Sequence, residues 1–319
     1  MSAAAASTPT ESTLLLRYGE LTLKSEGVRK RFTRILRGNI TNAFQHAGLD
    51  CLIRDDFGHL YVDTDNLEKA AEVLSRTFGL TSVSPAALLP SGNLDELAEA
   101  AAKYTLATMP QGTSSFAVRA RRTGSHAYSS QDLARACGSS IQRLAASRGA
   151  PLAVRLDDPQ FEVEVEVREN RAYLYARRFP CAGGLPVGTA GKVVFVLRAD
   201  PAEADLDARA AWMLMKRGAF PLYLVAGDEA TRTPALGPAS ALERLARWGP
   251  THKRWVAANP LDKASIEGFV ARNGAHAVAY GARAAGGELN APATLAEGFP
   301  TFHPLLALTD EEVAKIPLA

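Results

Sequence analysis

Apolar and polar positions change rhythm in a regular succession along this chain, and each change predicts an element. Leu14 to Leu23 (LLLRYGELTL) alternates weakly and predicts a strand in which Gly19 marks a bend. From Val28 to Ala47 the period is helical. Phe32, Ile35, Leu36, Ala43 and Ala47 fall on one side, and Lys30, Arg34 and Arg37 on the other. Two short strands follow around a turn at Asp55-Asp56-Phe57-Gly58. Asn66 then caps a helix from Leu67 to Thr77, and Phe78 to Pro85 closes the unit. The order β-α-β-β-α-β predicts a small ferredoxin-like domain.

A second unit begins with a helix over Asn93–Thr108, capped by Asn93 and with Asp95 and Glu96 in its first turn. Ser115 to Arg121 alternates as a strand, with Arg119 and Arg121 expected to point outward and Arg122 following. A helix from Ser130 carries Leu133, Cys137, Ile141 and Leu144 on its apolar side. Strands are expected at Leu152–Arg155, Phe161–Val167 and Arg171–Ala176. From Arg177 to Gly191 the spacing of Pro180, Gly183, Gly184, Pro186, Gly188 and Gly191 predicts an irregular connector. After it the rhythm is α/β: a strand at Val193–Leu197, a helix over Ala208–Arg217, a strand at Phe220–Val225, and alternating helices and strands to Tyr280.

Composition adds mainly exclusions. With 319 residues, 47% hydrophobic and 22% charged, the chain has the make-up of a soluble globular protein of two or three compact units. The net charge of +2 is too small to announce nucleic-acid binding, so any basic footprint has to be local. No apolar run approaches the length of a membrane span, and the first ten residues lack the basic and apolar regions of a signal peptide. Residues 1–11 are expected to be a floppy tail and the protein to be cytoplasmic. Cys51, Cys137 and Cys181 form no C-x-x-C pair, as for free thiols in a reducing compartment. His252 and His303 are isolated, so metal binding has no support.

Several stretches resemble one family. RYGELTLKSEGVRKRFTRILRGNI and FGLTSVSPA resemble the opening and exit of the N-terminal domain of tRNA 4-thiouridine synthetases (tRNA sulfurtransferases). The FAVRARR strand, the DDP turn and the VEVR strand resemble the THUMP RNA-binding module of the same enzymes. GGLPVGTAGK, the strand after it and AAWMLMKRG resemble the entry to their ATP-pyrophosphatase domain. The resemblance covers nearly everything from Leu14 to Gly218. It implies an α+β N-terminal half, ferredoxin-like over 12–90 and THUMP over 91–178. A linker over 179–191 and an α/β doubly wound PP-loop-type domain over 192–319 complete it.

In that family the first two domains grip the tRNA acceptor end. The RNA-binding candidates here are therefore Lys24 just before the first helix, Lys30, Arg34 and Arg37 on it, and Arg119, Arg121 and Arg122 at the THUMP strand. Glu162, Glu164 and Glu166 alternate with valines, and this acidic row is expected to face away from RNA.

Where the family carries a PP-loop of the SGGxDS type, this chain reads Arg198-Ala199-Asp200-Pro201-Ala202-Glu203-Ala204-Asp205, without glycine or serine. Asp200, Glu203, Asp205 and Asp207 are expected to repel a polyphosphate, while Asp200-Pro201 has the form of an ordinary helix start. Tyr280 to Gly287 does not match the family's second nucleotide segment. No cysteine follows Cys181, whereas active synthetases carry a sulfur-accepting cysteine in their C-terminal part. The expectation is a tRNA-binding protein without ATP-pyrophosphatase or sulfur-transfer activity, hence with no catalytic residues and no ATP or Mg, in which a homodimer or a separate modifying enzyme are candidate partners. Two rival readings are a tRNA sulfurtransferase with a rewired nucleotide site or a partner-supplied cysteine, and a protein–protein adaptor with no RNA role.

Overall fold

The computed structural model describes residues 8–56, 59–227, 238–249, 255–285, 288–289 and 298–318. Phe57, Gly58, His252, Gly286 and Gly287, invoked above, lie outside them. The chain divides into two compact units. One comprises Met1–Leu16, Asp50–Ala71 and Val83–Phe179, and the other Arg17–Leu49, Glu72–Ser82 and Pro180–Ala319.

The elements of the N-terminal half are β1 (Thr13–Arg17), α1 (Glu26–Ala47), β2 (Leu52–Asp56), β3 (His59–Asp63), α2 (Leu67–Ser75) and β4 (Ser82–Leu89). The expected strand to Leu23 stops at Arg17, and Glu20–Leu23 forms one turn of 3-10 helix instead. Weak alternation does not distinguish that turn from an extended run. Helix α1 ends where Gly48 adopts φ 62°, a left-handed stop that glycine takes without strain. Next come α3 (Leu94–Thr108), β5 (Ser115–Thr123), α4 (Ser130–Ser147), β6 (Ala153–Val154), β7 (Phe161–Arg168), β8 (Arg171–Tyr175) and β9 (Phe179–Pro180).

The first unit is built on one continuous sheet, in the order β2-β3-β1-β4-β8-β7-β5-β6, with β9 paired to β4. Strand β4 therefore joins the ferredoxin-like strands to those of the next segment, with Ala87 opposite Leu174. Asn93 caps α3 through the N–H groups of Asp95 and Glu96. Ser129 and Asp132 close a capping box on α4. These two helices bury Leu97, Ala101, Leu133, Cys137 and Ile141 against Phe116, Val163, Val165 and Val167. Glu11, at the end of the expected tail, accepts from Tyr104 Oη at 2.8 Å and Arg177 Nη2 at 2.7 Å.

The second unit carries β10 (Lys192–Leu197), α5 (Pro201–Lys216), β11 (Phe220–Ala226), α6 (Pro238–Ala246), β12 (Trp255–Ala258), α7 (Lys263–Asn273) and β13 (Ala277–Ala279). A two-strand ribbon, β14 (Ala284–Ala285) with β15 (Glu288–Leu289), precedes β16 (Thr301–Phe302) and α8 (Asp310–Ala314). Its main sheet is parallel throughout in the order β12-β11-β10-β13-β16, a doubly wound arrangement. Helix α5 starts seven residues earlier than its apolar pattern suggests. Asp200 caps it through the N–H groups of Ala202 and Glu203, and Pro201 occupies its first turn.

The glycine-rich connector is irregular yet bonded throughout. Gly79 N–H donates to Gly183 O at 2.8 Å, Gly183 N–H to Leu80 O at 2.7 Å, and Leu185 N–H to Lys216 O at 2.9 Å. A Cβ on Gly184, whose φ is 72°, would stand 2.1 Å from Lys216 O, so only glycine lets the connector approach the end of α5.

Candidate functional site

In an open parallel sheet, ligands are received at the carboxyl ends of the strands, where the strand order reverses. Here the reversal lies between β10 and β13. Arg198 follows the last residue of β10, Tyr280 and Gly281 follow β13, and His303 follows β16.

Asp207, from the second turn of α5, fills this position. Its carboxylate accepts from the backbone N–H of Arg198 at 2.9 Å and of Gly281 at 2.7 Å. It also accepts from Arg198 Nε at 3.0 Å and Nη2 at 3.0 Å. The Arg198 guanidinium further bonds Glu203 at 2.8 Å and lies 5.9 Å from the centre of the Tyr280 ring. Asp207 is 1% exposed and Arg198 7%. Burial pushes the Asp207 carboxyl above its ordinary value, while Arg198 and the two backbone donors pull it back.

Tyr280 packs edge-on against His303 at 4.7 Å. Burial raises its phenol to about 12 and lowers the His303 imidazole. Tyr280 Oη is buried without a hydrogen-bond partner among the described residues. Gly281 permits the closure, because a Cβ there would stand 2.3 Å from the carbonyl carbon of Leu206. Gly281→Ala is therefore expected to destabilise the second unit by about 1–3 kcal/mol through overpacking. All three tryptophans (Trp212, Trp248, Trp255) lie in that unit, so their fluorescence during urea unfolding reads the change.

The four acids expected to repel a polyphosphate do not line an open site. Asp200 is the helix cap, Glu203 and Asp207 hold Arg198, and Asp205 pairs with Arg209 at 2.7 Å and Arg244 at 2.8 Å. Along a helix, acids at these spacings meet basic partners on several elements, here the turn after β10, α5 itself and α6, which the linear sequence does not display.

The seven predicted RNA-binding cations lie on separate elements in the two units. On the α1 side Lys24, Lys30, Arg34 and Arg37 are exposed, as are Arg29 and Arg31. Lys30 pairs with Glu26 at 2.7 Å in an exposed contact of the kind that contributes little. Arg29, Arg31, Arg34 and Arg37 have no ion-pair partner among the described residues.

The THUMP strand differs from expectation. Strand β7 runs parallel to β5, with Arg119 opposite Glu164 and Arg121 opposite Glu166. Opposed residues share a face, so the acidic row lies beside the arginines and does not face away from them. Arg119 bonds Glu162 at 2.7 Å and Leu156 O at 2.8 Å, and Arg121 is 4.0 Å from Glu164. Arg178 also pairs with Glu164, and Arg168 with Glu166. A groove of about 400 Å³ opens here between Arg119, Arg121, Gln131, Glu162 and Arg178. Arg122 has the opposite parity, on the side of Val118 and Ala120, and at the strand's exposed end it donates to Gly124 O. Alternation along β5 alone separates it from Arg119 and Arg121.

Cys137 is fully buried, and its thiol is pushed up to about 12, which suits packing and not nucleophilic attack. Cys181 is half-buried, and its N–H donates to Thr81 O. Among the described residues no group of three or more His, Cys, Asp or Glu is placed to hold a metal ion, and no helix is long and apolar enough to cross a membrane.

Known proteins share this arrangement. The ThiI ferredoxin-like domain family matches residues 13–84, and the THUMP domain family residues 91–177. A "Probable tRNA sulfurtransferase" of Methanosarcina mazei is 35% identical over 244 residues, 75% of this chain and 58% of the relative. A "tRNA sulfurtransferase" of Pyrobaculum aerophilum is 35% identical over 240 residues, 74% of this chain and 46% of the relative. The matched region thus spans about half the length of these relatives. The crystal structure of PH1313 from Pyrococcus horikoshii aligns with a TM-score of 0.77 at 25% identity, covering 95% of this chain and 97% of that one. A 4-thiouridine synthetase solved in complex with RNA and ATP aligns with a TM-score of 0.72 at 21% identity, covering 95% and 83%, and shares the fold. With both N-terminal domains matched in order and the α/β domain following as in these structures, the chain belongs to the tRNA 4-thiouridine synthetase (tRNA sulfurtransferase) family.

Proposed function

We propose that this protein binds tRNA at its acceptor end, in the cytoplasm, and that its C-terminal domain supports that grip without ATP chemistry of its own. The observation that carries the reading is helix α1. It displays Arg31, Arg34 and Arg37 to solvent without an ion-pair partner among the described residues, with Arg29 exposed near Glu26, and such cations release counterions when they meet phosphates. A solved relative of the same fold is described as an RNA complex, which agrees with this assignment.

The residues at the carboxyl edge of the second sheet do not fit a nucleotide's phosphates. A PP-loop offers bare N–H groups and hydroxyls. Here the N–H groups of Arg198 and Gly281 serve Asp207, and the turn holds alanine, aspartate and proline. A triphosphate would have to displace a buried carboxylate from its arginine.

The second reading, a tRNA sulfurtransferase that draws on a partner's cysteine or a rewired site, is favoured by the names of the relatives. Two measurements on the full chain separate the readings. Filter retention of tRNA is expected at micromolar protein and is expected to weaken steeply with salt. Mg-ATP is expected to leave the thermal midpoint unchanged, and no 4-thiouridine is expected in tRNA incubated with ATP and a sulfur donor. Thiolation by the purified chain would establish the second reading. A tRNA that is not retained at low salt would remove the first. On this reading a homodimer would hold one tRNA between two copies, and a separate modifying enzyme docked on the C-terminal domain would supply whatever chemistry follows tRNA binding.

A further inference from the structure

We propose that the crevice between β10 and β13 is a self-ligated anion site: the Asp207 carboxylate is its resident ligand, and the site relieved of that carboxylate takes a small carboxylate or oxyanion. The inference rests on the reading of the C-terminal domain given above and deepens it.

The arrangement differs from an ordinary buried ion pair. A surface or core pair needs only a guanidinium facing a carboxylate. Asp207 also accepts two backbone N–H groups, one just past the end of β10 and one just past the end of β13. These are adjacent strands on opposite sides of the reversal, so the donors converge on the place where such sheets receive an anion. The guanidinium of Arg198 closes a third side at 3.0 Å, and Arg198 is itself 7% exposed. Tyr280, 1% exposed, brings its ring to 5.9 Å from the same guanidinium, and its hydroxyl has no hydrogen-bond partner among the described residues.

Two backbone donors and one bidentate cation make a cradle that suits a carboxylate or a single phosphate oxygen pair. Every one of these donors meets an anion that α5 brings with it. Gly281 supports the same conclusion from the other direction. It touches the backbone of α5 at Leu206 so closely that no Cβ fits, so the helix carrying Asp207 is seated directly on the end of β13. An exogenous anion and the Asp207 carboxylate cannot occupy the cradle together. A chain with this site keeps its fold there without a ligand.

Chemical rescue tests the proposal. In Asp207→Ala the cradle keeps Arg198 and Gly281 and loses only the resident anion. Sodium formate is expected to raise the thermal midpoint of this variant saturably, beyond sodium chloride at equal ionic strength, with inorganic phosphate as a second probe. At ten times the dissociation constant the folding equilibrium constant should rise about elevenfold. The wild-type midpoint is expected to respond to formate and chloride alike.

Equal formate responses in the two proteins, or none specific to formate in the variant, would overturn the proposal. So would a wild-type midpoint that climbs with Mg-ATP, since that requires a triphosphate in the place assigned to Asp207. Should Asp207→Ala not fold in chloride, the yield of soluble protein on dilution from urea becomes the readout. Recovery in formate alone supports the proposal, and failure in both salts counts against it. Filter retention of tRNA by the same preparations keeps the two readings apart. Retention without formate rescue removes this inference and leaves tRNA binding standing.

Discussion

Arg198→Ala is expected to destabilise the second unit by about 3–5 kcal/mol at neutral pH, the usual result of leaving one member of a buried ion pair alone. The size follows from what remains. Asp207 would keep two backbone N–H donors but lose the guanidinium that contacts both its oxygens, in a position only 1% exposed. Glu203 would lose its partner too, but it is more exposed and contributes less.

The pH dependence has a definite sign. Without Arg198 the main influence opposing desolvation is gone, so the folded-state pKa of Asp207 rises further above its unfolded value, near 3.8. The folded variant then binds a proton that the unfolded chain releases. Its stability relative to wild type is greatest below that unfolded value and falls as pH rises through the raised folded one. Tryptophan fluorescence in urea from pH 4 to 8 on the intact chain measures this, because every tryptophan lies in that unit. Replacing both partners with apolar residues, Arg198→Met with Asp207→Leu, is expected to recover only part of the loss, because leucine leaves the buried N–H groups of Arg198 and Gly281 without their acceptor. A single substitution as mild as the double one would mean that the pair is not holding the crevice.

The elements around this pair were largely legible in sequence, and the pair was not. Asn93 and Asp200 announce their helices because a cap acts on N–H groups two or three residues away, within reach of local reading. Four of the five parallel strands, β10 to β13, were legible for a similar reason, since a buried strand is a short apolar run wherever it occurs, whereas β16 has two residues, neither of them buried, and no such run.

What joins Arg198 to Asp207 and Gly281 is the order of strands in the sheet. That order places position 281 beside position 198 across 83 residues of chain. The glutamate row failed for the same reason. Alternation within Phe161–Arg168 correctly puts Glu162, Glu164 and Glu166 on one face, but only the pairing of β7 with β5 decides that the arginines share it. Arg122 is the converse case, since its parity was readable from β5 alone. Tyr175 completes that face, donating to Glu164 at 2.8 Å, and nothing in its local sequence marks it as a partner.

That shared face changes which cations should matter for RNA. Arg34→Gln with Arg37→Gln is expected to weaken tRNA retention on the order of tenfold near physiological salt, and to flatten log K against log salt by up to about 1.8 if each arginine neutralises one phosphate. Both side chains are exposed and have no ion-pair partner among the described residues, so the protein should unfold at the same urea concentration as wild type. On β5 the electrostatics are different. Arg119 is already matched by Glu162, and Arg121 faces Glu164 and Glu166, so phosphates there meet a nearly neutral surface at long range. Exchanging both members of one pair, Arg119→Gln with Glu162→Gln, keeps the net charge of that face and is expected to change retention by less than about twofold with an unaltered salt slope. The double exchange is the cleaner probe, because removing arginines alone would leave Glu164, largely buried, short of cations and confuse folding with binding. If the β5–β7 pair lowers retention as much as the α1 pair does, the paired arginines open toward phosphate on binding, and the groove beside Gln131 is where the RNA lies. If it does not, helix α1 carries the electrostatic part of the grip, and the β5 face contributes shape.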